Sequence, residues 1–106
     1  EIAIIAHDTK KELMAQFCIA YCGILSKHNL CATSITAKYI SDATGLTIER
    51  LLAGEQGGEQ QIASRIAYNE IDLVLMFTDP HNMDPWEDRQ IVQTIHLCDT
   101  YNVPVA

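Results

Sequence analysis

The residues best suited to chemistry in this sequence are polar side chains that follow short apolar segments. A phosphate dianion is bound by ammonium, hydroxyl and backbone N–H donors, especially beside the start of a helix. Donors of these kinds stand at Lys11, Thr33, Ser34, Thr36 and Gly54. We therefore expect a site for a phosphorylated compound, with Lys11 at an exposed strand end and contributing charge rather than packing.

Carboxylates stand near the same segments, at Asp8, Glu59 and Asp79. Removing a proton beside a carbonyl requires a general base within hydrogen-bond reach of the substrate, and a carboxylate can fill this role. Simpler structural explanations exist: Asp8 or Thr9 can cap a helix, and residues 33–36 can form a cap and a turn. The joint placement of these residues after apolar segments favours a binding site.

Alternating strand and helix patterns would position these side chains. Residues 2–6 form an apolar run typical of a strand buried on both faces, whereas apolar residues between 9 and 27 recur at helical spacing. Strands are predicted over residues 2–6, 30–33, 46–53 and 71–77, with a fifth beginning at Val103, and helices over residues 9–27, 37–43, 59–68 and 88–101. Gly45 is predicted to end the second helix.

This alternation with short connections predicts the α/β class. Parallel neighbours need a crossover, so we expect a single doubly wound, Rossmann-like domain over residues 1–106, with a mainly parallel five-stranded sheet and helices on both faces. Ligands of such sheets bind outside the carboxyl ends of the strands, where the candidate residues fall. The chain begins with Glu1 and its last residues read as a strand just beginning, so we expect both ends to be trimmed.

The composition narrows the class of protein. The chain has 106 residues, 48% of them hydrophobic, and a formal net charge of -7. This acidity disfavours nucleic acid and anionic membranes as partners, and no apolar run approaches the ~20 residues of a membrane span. We expect a cytoplasmic protein. The cysteines and histidines lack metal-binding spacings, which predicts no metal site and buried, reduced thiols at Cys18, Cys22, Cys31 and Cys98.

Several segments together carry a family resemblance. They are His7-Asp8-x-x-Lys11, Thr33-x-x-Thr36, Gly54-x-x-Gly57-Gly58-Glu59-Gln60-Gln61, Ile71-Asp72-x-x-x-x-Phe77-x-Asp79-Pro80 and Asn102-Val103-Pro104-Val105-Ala106. In this order and spacing they resemble the methylglyoxal synthase family across essentially the whole chain.

The resemblance implies a lyase of the glycolytic bypass that converts dihydroxyacetone phosphate to methylglyoxal and inorganic phosphate. It implies no metal or organic cofactor, a small phosphorylated substrate as the partner, and a homohexamer. By the same resemblance, Glu59 abstracts the proton and Asp79 is a second active-site carboxylate, while His7 contacts the substrate and Asp8 belongs to the same motif. The implied phosphate ligands are Lys11, Thr33, Thr36 and Gly54.

This chain departs from the family pattern at several positions. Glu59 replaces an aspartate, and Ser34 and Ile35 replace a glycine and a phosphate-contacting threonine. Trp86 stands where the family has a loop histidine that shuttles protons, and His81 in the same loop is a candidate substitute. The alternative function is therefore a non-catalytic, phosphate-ester-binding regulatory domain of the same fold.

Overall fold

The elements that carry the candidate residues are short and closely connected. The computed structural model describes residues 1–51, 58–79 and 85–105. The strands are β1 (Ile2–Ala6), β2 (Leu30–Thr33), β3 (Glu49–Leu51) and β4 (Leu73–Phe77). The helices are α1 (Lys11–Ala20), α2 (Cys22–Leu25), α3 (Ser34–Thr44), α4 (Gly58–Ala67) and α5 (Pro85–Thr100), and a 3-10 turn, Asp8–Lys10, links β1 to α1. The predicted alternation of strands and helices is confirmed.

All pairings between the described strands are parallel, in the order β3-β2-β1-β4. The first three strands follow one another towards one edge, and β4 lies on the opposite side of β1. The strand order therefore reverses between β1 and β4, and such a reversal opens a crevice at the carboxyl ends of the strands. Pairing continues just past the end of β1, where the His7 N–H donates to the Phe77 carbonyl at 2.8 Å.

The described residues form a sheet of four strands, so the prediction of five is wrong for this part of the chain. The Val103 N–H donates to the Cys98 carbonyl at 2.8 Å, which ties the expected fifth strand to the end of α5. The following residues reach β4 through a bond of 2.9 Å from the Val74 N–H to the Pro104 carbonyl and a parallel bridge between Val74 and Val105. These contacts are too few for a strand ladder.

Two apolar cores cover the two faces of the sheet. Successive side chains of a strand point to opposite faces, so Ile4 packs with Met14 and Ile40 on one face. On the other face, Ala3 packs in the same cluster as Ile62 of α4. Because α1 and α3 cover one face while α4 and α5 cover the other, the predicted arrangement of helices on both faces is confirmed.

The helix predicted over residues 9–27 is interrupted. The Lys10 N–H donates to the His7 carbonyl at 2.9 Å, which closes the 3-10 turn and delays the start of α1. Lys10, rather than Asp8 or Thr9, occupies the N-cap position, and no side-chain capping bond is found there among the described atoms. At the other end, Tyr21 adopts φ -107° and ψ 19° and separates α1 from α2.

The remaining boundaries differ in ways that backbone geometry explains. Thr33 is extended (φ -62°, ψ 159°) and is the N-cap of α3, so this helix begins before its predicted start at residue 37. Gly45 ends it in the left-handed region (φ 75°), as predicted. The strand expected over residues 46–53 pairs only from Glu49 to Leu51 in the described part, and residues 52 and 53 lie outside it. Pro85 begins α5 before the predicted residue 88, because proline suits the first helical turn.

The predicted burial of the cysteines is confirmed for three of the four. Cys18, Cys31 and Cys98 are buried and Cys22 is half-buried, and all four are free thiols. Burial raises the pKa of Cys31 to about 12, aided by the nearby Glu1 carboxylate. In the described ranges no group of three or more His, Cys, Asp or Glu side chains is placed to hold a metal ion. No helix in those ranges combines the length and apolarity needed to cross a membrane.

Candidate active site

Lys11 occupies the space between β1 and α3 at the carboxyl edge of the sheet. Its Nζ donates to the Ala6 carbonyl and to Thr36 Oγ1, both at 3.2 Å. Lys11 is 8% exposed, so the expectation that it lies at an exposed strand end and does not contribute to packing is wrong. The burial follows from its position: Lys11 begins α1, and α1 packs against α3. An anion bound at this edge of the sheet would lie close to this ammonium.

Hydroxyl groups gather at the start of α3. Thr36 is 2% exposed, and the Thr33 hydroxyl makes a long contact of 3.5 Å with Thr36 Oγ1. Thr33 holds the N-cap position, yet its side chain makes no capping bond among the described atoms. Ser34, half-buried, is the first residue of this helix. The hydroxyls, the N–H groups of the first turn and the Lys11 ammonium together form a cationic, donor-rich corner suited to a phosphate.

Asp79 and His7 meet at the reversal point between β1 and β4. Asp79 is 9% exposed and accepts a hydrogen bond of 2.7 Å from the Thr9 hydroxyl. His7 Nδ1 lies 2.8 Å from the same hydroxyl oxygen and 3.2 Å from the Thr9 backbone nitrogen. The Thr9 hydroxyl thus joins His7 to Asp79, two predicted site residues. The sequence suggested for Thr9 itself at most a role as a helix cap.

The two clusters share one edge of the sheet. His7 follows β1 directly, and the Ala6 carbonyl that Lys11 contacts is the last carbonyl of the same strand. The candidate phosphate donors and the candidate acid–base groups therefore lie on either side of the end of β1. This is the arrangement needed to hold a phosphorylated molecule while protons are moved on its other end.

Other predicted site residues are placed only in part. Glu59 lies in the first turn of α4, as predicted, and Trp86 lies in the first turn of α5. The described structure does not extend to the side chains of Asp8, Glu59 and Trp86. Gly54 and His81 lie outside the described residues.

An ion pair that the sequence does not reveal fixes α4 against the sheet. Arg65, near the end of α4, donates from Nη2 to Glu49 Oε1 at 2.9 Å and from Nη1 to Glu49 Oε2. This bidentate contact lowers the pKa of Glu49 and raises that of Arg65. Because Glu49 begins β3, the pair anchors one end of the helix whose other end carries Glu59.

Thr9 is the residue that sequence reasoning missed. Its hydroxyl contact with Asp79 spans 70 residues of sequence, and no local pattern reports such a contact. The signal that could have found it is indirect: Thr9 follows two residues after His7 and is not needed as a cap once the 3-10 turn is recognised.

Comparison with known proteins supports a common ancestry for this arrangement. The family model described as the MGS-like domain matches residues 14–106. A methylglyoxal synthase of Caldicellulosiruptor saccharolyticus is 53% identical over 105 residues, which cover 99% of this chain and 74% of that protein. A methylglyoxal synthase of Listeria welshimeri is 47% identical, with 99% and 78% covered.

A solved structure agrees with these relatives. The crystal structure of methylglyoxal synthase from Elizabethkingia anophelis superposes with a TM-score of 0.92 at 40% identity. The match covers 99% of this chain and 68% of that one. The sheet with its reversal beside β1 and the motifs at the strand ends thus have a common explanation: the chain belongs to the methylglyoxal synthase family.

Proposed function

We propose that this protein converts dihydroxyacetone phosphate to methylglyoxal and inorganic phosphate. The observation that carries the proposal is the buried ammonium of Lys11, in contact with Thr36 at the sheet edge where His7 and Asp79 also lie. A cationic corner beside acid–base groups suits a small phosphate ester with an acidic C–H bond. Near full-length similarity to methylglyoxal synthases supports the same reaction.

The phosphate group would bind at the cationic corner. Lys11 supplies the charge, while Thr33, Ser34 and Thr36 supply hydroxyl and helix N-terminal donors, and Gly54 is proposed as a further backbone donor. Binding at this corner holds the three-carbon body over the end of β1. The enzyme thereby converts an encounter between a base and a diffusing ketone into a reaction within one complex.

Chemistry begins with loss of a proton from the hydroxymethyl carbon, C3, of the substrate. We assign Glu59 as the base, and His7 with nearby backbone donors as the groups that stabilise the negative charge on the former carbonyl oxygen. The proton of the C3 hydroxyl then passes to the former carbonyl oxygen, which leaves the negative charge on the C3 oxygen. That charge drives cleavage of the C–O bond to phosphate, and phosphate leaves with its electron pair. The remaining enol takes up a proton on carbon and loses its hydroxyl proton, which gives methylglyoxal. Every step is a proton transfer or an elimination, so we invoke no cofactor.

A direct assay tests this function. The protein is incubated with dihydroxyacetone phosphate, and methylglyoxal and inorganic phosphate are measured in parallel. We expect equimolar release of both products. Release no faster than in buffer alone would rule the function out for this chain.

Substitution of Glu59 tests the assigned base. Glu59→Gln keeps the shape of the side chain but cannot accept the proton, so we expect turnover to fall by about 10²- to 10⁴-fold with little change in phosphate affinity. The control is Glu12→Gln, which removes an exposed carboxylate from the first turn of α1. If the only role of Glu59 is a favourable interaction with the dipole of its helix, both variants will lose about 0.3 to 1 kcal/mol of unfolding free energy and keep full turnover.

A second candidate function is a regulatory domain that binds a phosphate ester without turnover. The observation that favours it is Trp86 in place of the family's loop histidine. Calorimetry decides between the two: binding of dihydroxyacetone phosphate with no methylglyoxal formed would establish the regulatory domain.

We extend the proposal to the protein's setting. Family membership supports one domain over residues 1–106, a cytoplasmic enzyme of the glycolytic bypass and a homohexamer. Large apolar side chains at the surface, Ile35 (61% exposed) and Tyr68 (77% exposed), suit contacts between subunits. Analytical ultracentrifugation measures the oligomeric state directly.

A further inference from the structure

The proposed reaction needs a group that both takes and returns a proton. Abstraction from C3 leaves negative charge on the former carbonyl oxygen, whereas expulsion of phosphate requires that charge on the neighbouring hydroxyl oxygen. A proton must therefore pass from one oxygen to the other before the C–O bond breaks. A group that can accept a proton and donate it again within the bound complex serves this step.

We propose that Thr9 is a positioning residue that couples His7 to Asp79, so that the two act as one acid–base unit through the Thr9 hydroxyl. This inference rests on the proposed function for its role in the reaction. The geometry itself consists of two contacts at one oxygen: 2.8 Å from His7 Nδ1 and 2.7 Å to Asp79 Oδ2.

Counting hydrogens allows two arrangements of these hydrogen bonds, and the first has Asp79 ionised. A threonine hydroxyl has one proton to donate and lone pairs to accept with. When Asp79 is ionised, the hydroxyl proton points to Oδ2, so Thr9 Oγ1 must accept from an Nδ1–H of His7. A neutral His7 then carries its lone pair on Nε2, and that nitrogen can take a proton from the substrate oxygen.

A second arrangement of the same atoms stores the proton. After Nε2 is protonated, the Nδ1 proton moves to Thr9 Oγ1 while the Thr9 proton moves to Asp79 Oδ2. Asp79 is then neutral, His7 is neutral with a proton on Nε2, and Nδ1 accepts from the Thr9 hydroxyl. In this arrangement Nδ1 also accepts the Thr9 backbone N–H at 3.2 Å, a hydrogen bond that the first arrangement loses because Nδ1 then carries a hydrogen itself.

The sheet fixes the positions of His7 and Asp79, the two residues that the Thr9 hydroxyl joins. The His7 backbone N–H is bonded to the Phe77 carbonyl at 2.8 Å, and Asp79 follows two residues after Phe77. Asp79 is 9% exposed, so its charge depends on partners supplied by the protein. Thr9 sits on the 3-10 turn between β1 and α1, which places its hydroxyl between the ends of the two neighbouring strands.

Kinetics of two Thr9 variants test the coupling. Thr9→Val keeps the shape but removes the hydroxyl, and we expect kcat to fall about 10- to 100-fold with KM changed less than about threefold, as for other residues that orient an acid–base group. Thr9→Ser restores the hydroxyl and is expected to recover kcat to within about threefold of the parent. Thr100→Val is the control, because its hydroxyl donates only to the His96 carbonyl on α5 in the described structure.

The outcomes separate the hydroxyl from packing. Equal losses of kcat in Thr9→Val and Thr9→Ser would overturn the proposal, because serine keeps the hydroxyl. A parental kcat in Thr9→Val, or a rise in KM alone, would overturn it as well. Circular dichroism of each variant confirms that the comparison is made between folded proteins.

An NMR measurement tests the coupling without any turnover. In long-range ¹H–¹⁵N spectra of the complete chain, we expect neutral His7 to carry its proton on Nδ1, and Thr9→Val to shift it towards Nε2. A His7 ring that is protonated on Nε2 in the parent and unaffected by Thr9→Val would refute the coupling. If the parent protein makes no methylglyoxal but shows the expected tautomer, the proposed function fails and the coupling stands.

Discussion

Replacement of Lys11 is the most direct test of the cationic corner. Lys11→Met removes the ammonium and keeps most of the apolar stem, so it separates charge from packing. We expect this variant to fold like the parent and to lose most of its affinity for inorganic phosphate and for dihydroxyacetone phosphate.

The size of the loss follows from where Lys11 lies. At 8% exposure the ammonium is shielded from solvent, and an effective dielectric constant of about 20 gives roughly 4 kcal/mol for unit charges about 4 Å apart. That energy corresponds to about a 10³-fold weaker phosphate affinity. For stability, the lost contacts to Ala6 and Thr36 are offset by the charge no longer being buried. The expected change in unfolding free energy is within about 2 kcal/mol.

The buried position also changes what Lys11→Ala would report. Alanine deletes the methylene stem as well as the charge, which at about 0.8 kcal/mol per methylene adds roughly 2 to 3 kcal/mol of destabilisation. A lysine at an exposed strand end could be replaced by alanine with the fold intact, whereas the burial of Lys11 predicts a measurable loss of stability for Lys11→Ala. Lys11→Met is therefore the cleaner variant.

The assay is isothermal titration with inorganic phosphate, repeated with dihydroxyacetone phosphate, alongside urea unfolding. Lys38→Met is the matched control, since Lys38 is an exposed lysine on the same α3 that carries Thr36. Phosphate affinity in Lys11→Met within threefold of the parent would refute the assignment of this corner. An equal loss in both variants would show that net charge, rather than this contact, governs binding.

Two further predictions concern stability. Gly45 has φ 75° and no described atom within 4 Å of the place where a Cβ would stand, so Gly45→Ala should lower the unfolding free energy by about 1 to 2 kcal/mol through backbone strain alone, measured by urea unfolding. Gly23→Ala, equally unobstructed but at ordinary φ within α2, should leave stability unchanged or raise it, and a loss as large as that of Gly45→Ala would contradict this reasoning. The hydrogen bond from Arg65 lowers the pKa of Glu49 below its ordinary 4.5, so the ion pair stabilises the fold above that value and its contribution is lost as the pH falls through the lowered pKa. As the pH falls from about 5 to 3, the unfolding free energy of Arg65→Gln should therefore decrease less than that of the parent. If the two proteins lose the same free energy over this range, the half-exposed pair contributes nothing to stability.

The sequence predicted the strands beside the site well. Residues 2–6 and 30–33 are short apolar runs, and buried parallel strands have this signature because both of their faces are covered. The left-handed position of Gly45 was predictable because glycine alone has no Cβ penalty there. The family motifs then placed Lys11 and Thr36 at neighbouring strand ends, where the structure finds them in contact.

The predictions from sequence fail where a contact with a residue distant in the chain determines burial or pairing. Helical spacing reports which side chains share a face, but it does not report what that face meets, so the burial of Lys11 was not predictable. A run of apolar residues after α5 resembles a strand, yet strand pairing depends on where Val103 is held by Cys98. Arg65 and Glu49 are ordinary surface residues by sequence, and only the packing of α4 on β3 brings them together.

The two halves of the site differ in how far apart in the chain their members lie, and this difference bears on how the protein folds. The contact between Lys11 and Thr36 closes a loop of 25 residues, whereas the contact between Thr9 and Asp79 closes one of 70. By loop-closure entropy the longer contact costs about 0.9 kcal/mol more to form. The contact between Lys11 and Thr36 in the cationic corner needs only the chain through α3, while the contact between Thr9 and Asp79 also needs β4 in place. Phosphate that binds the corner stabilises any species in which it is formed, by mass action. Under the proposed mechanism, the phosphate that the reaction releases is thus also a ligand that favours formation of the cationic corner.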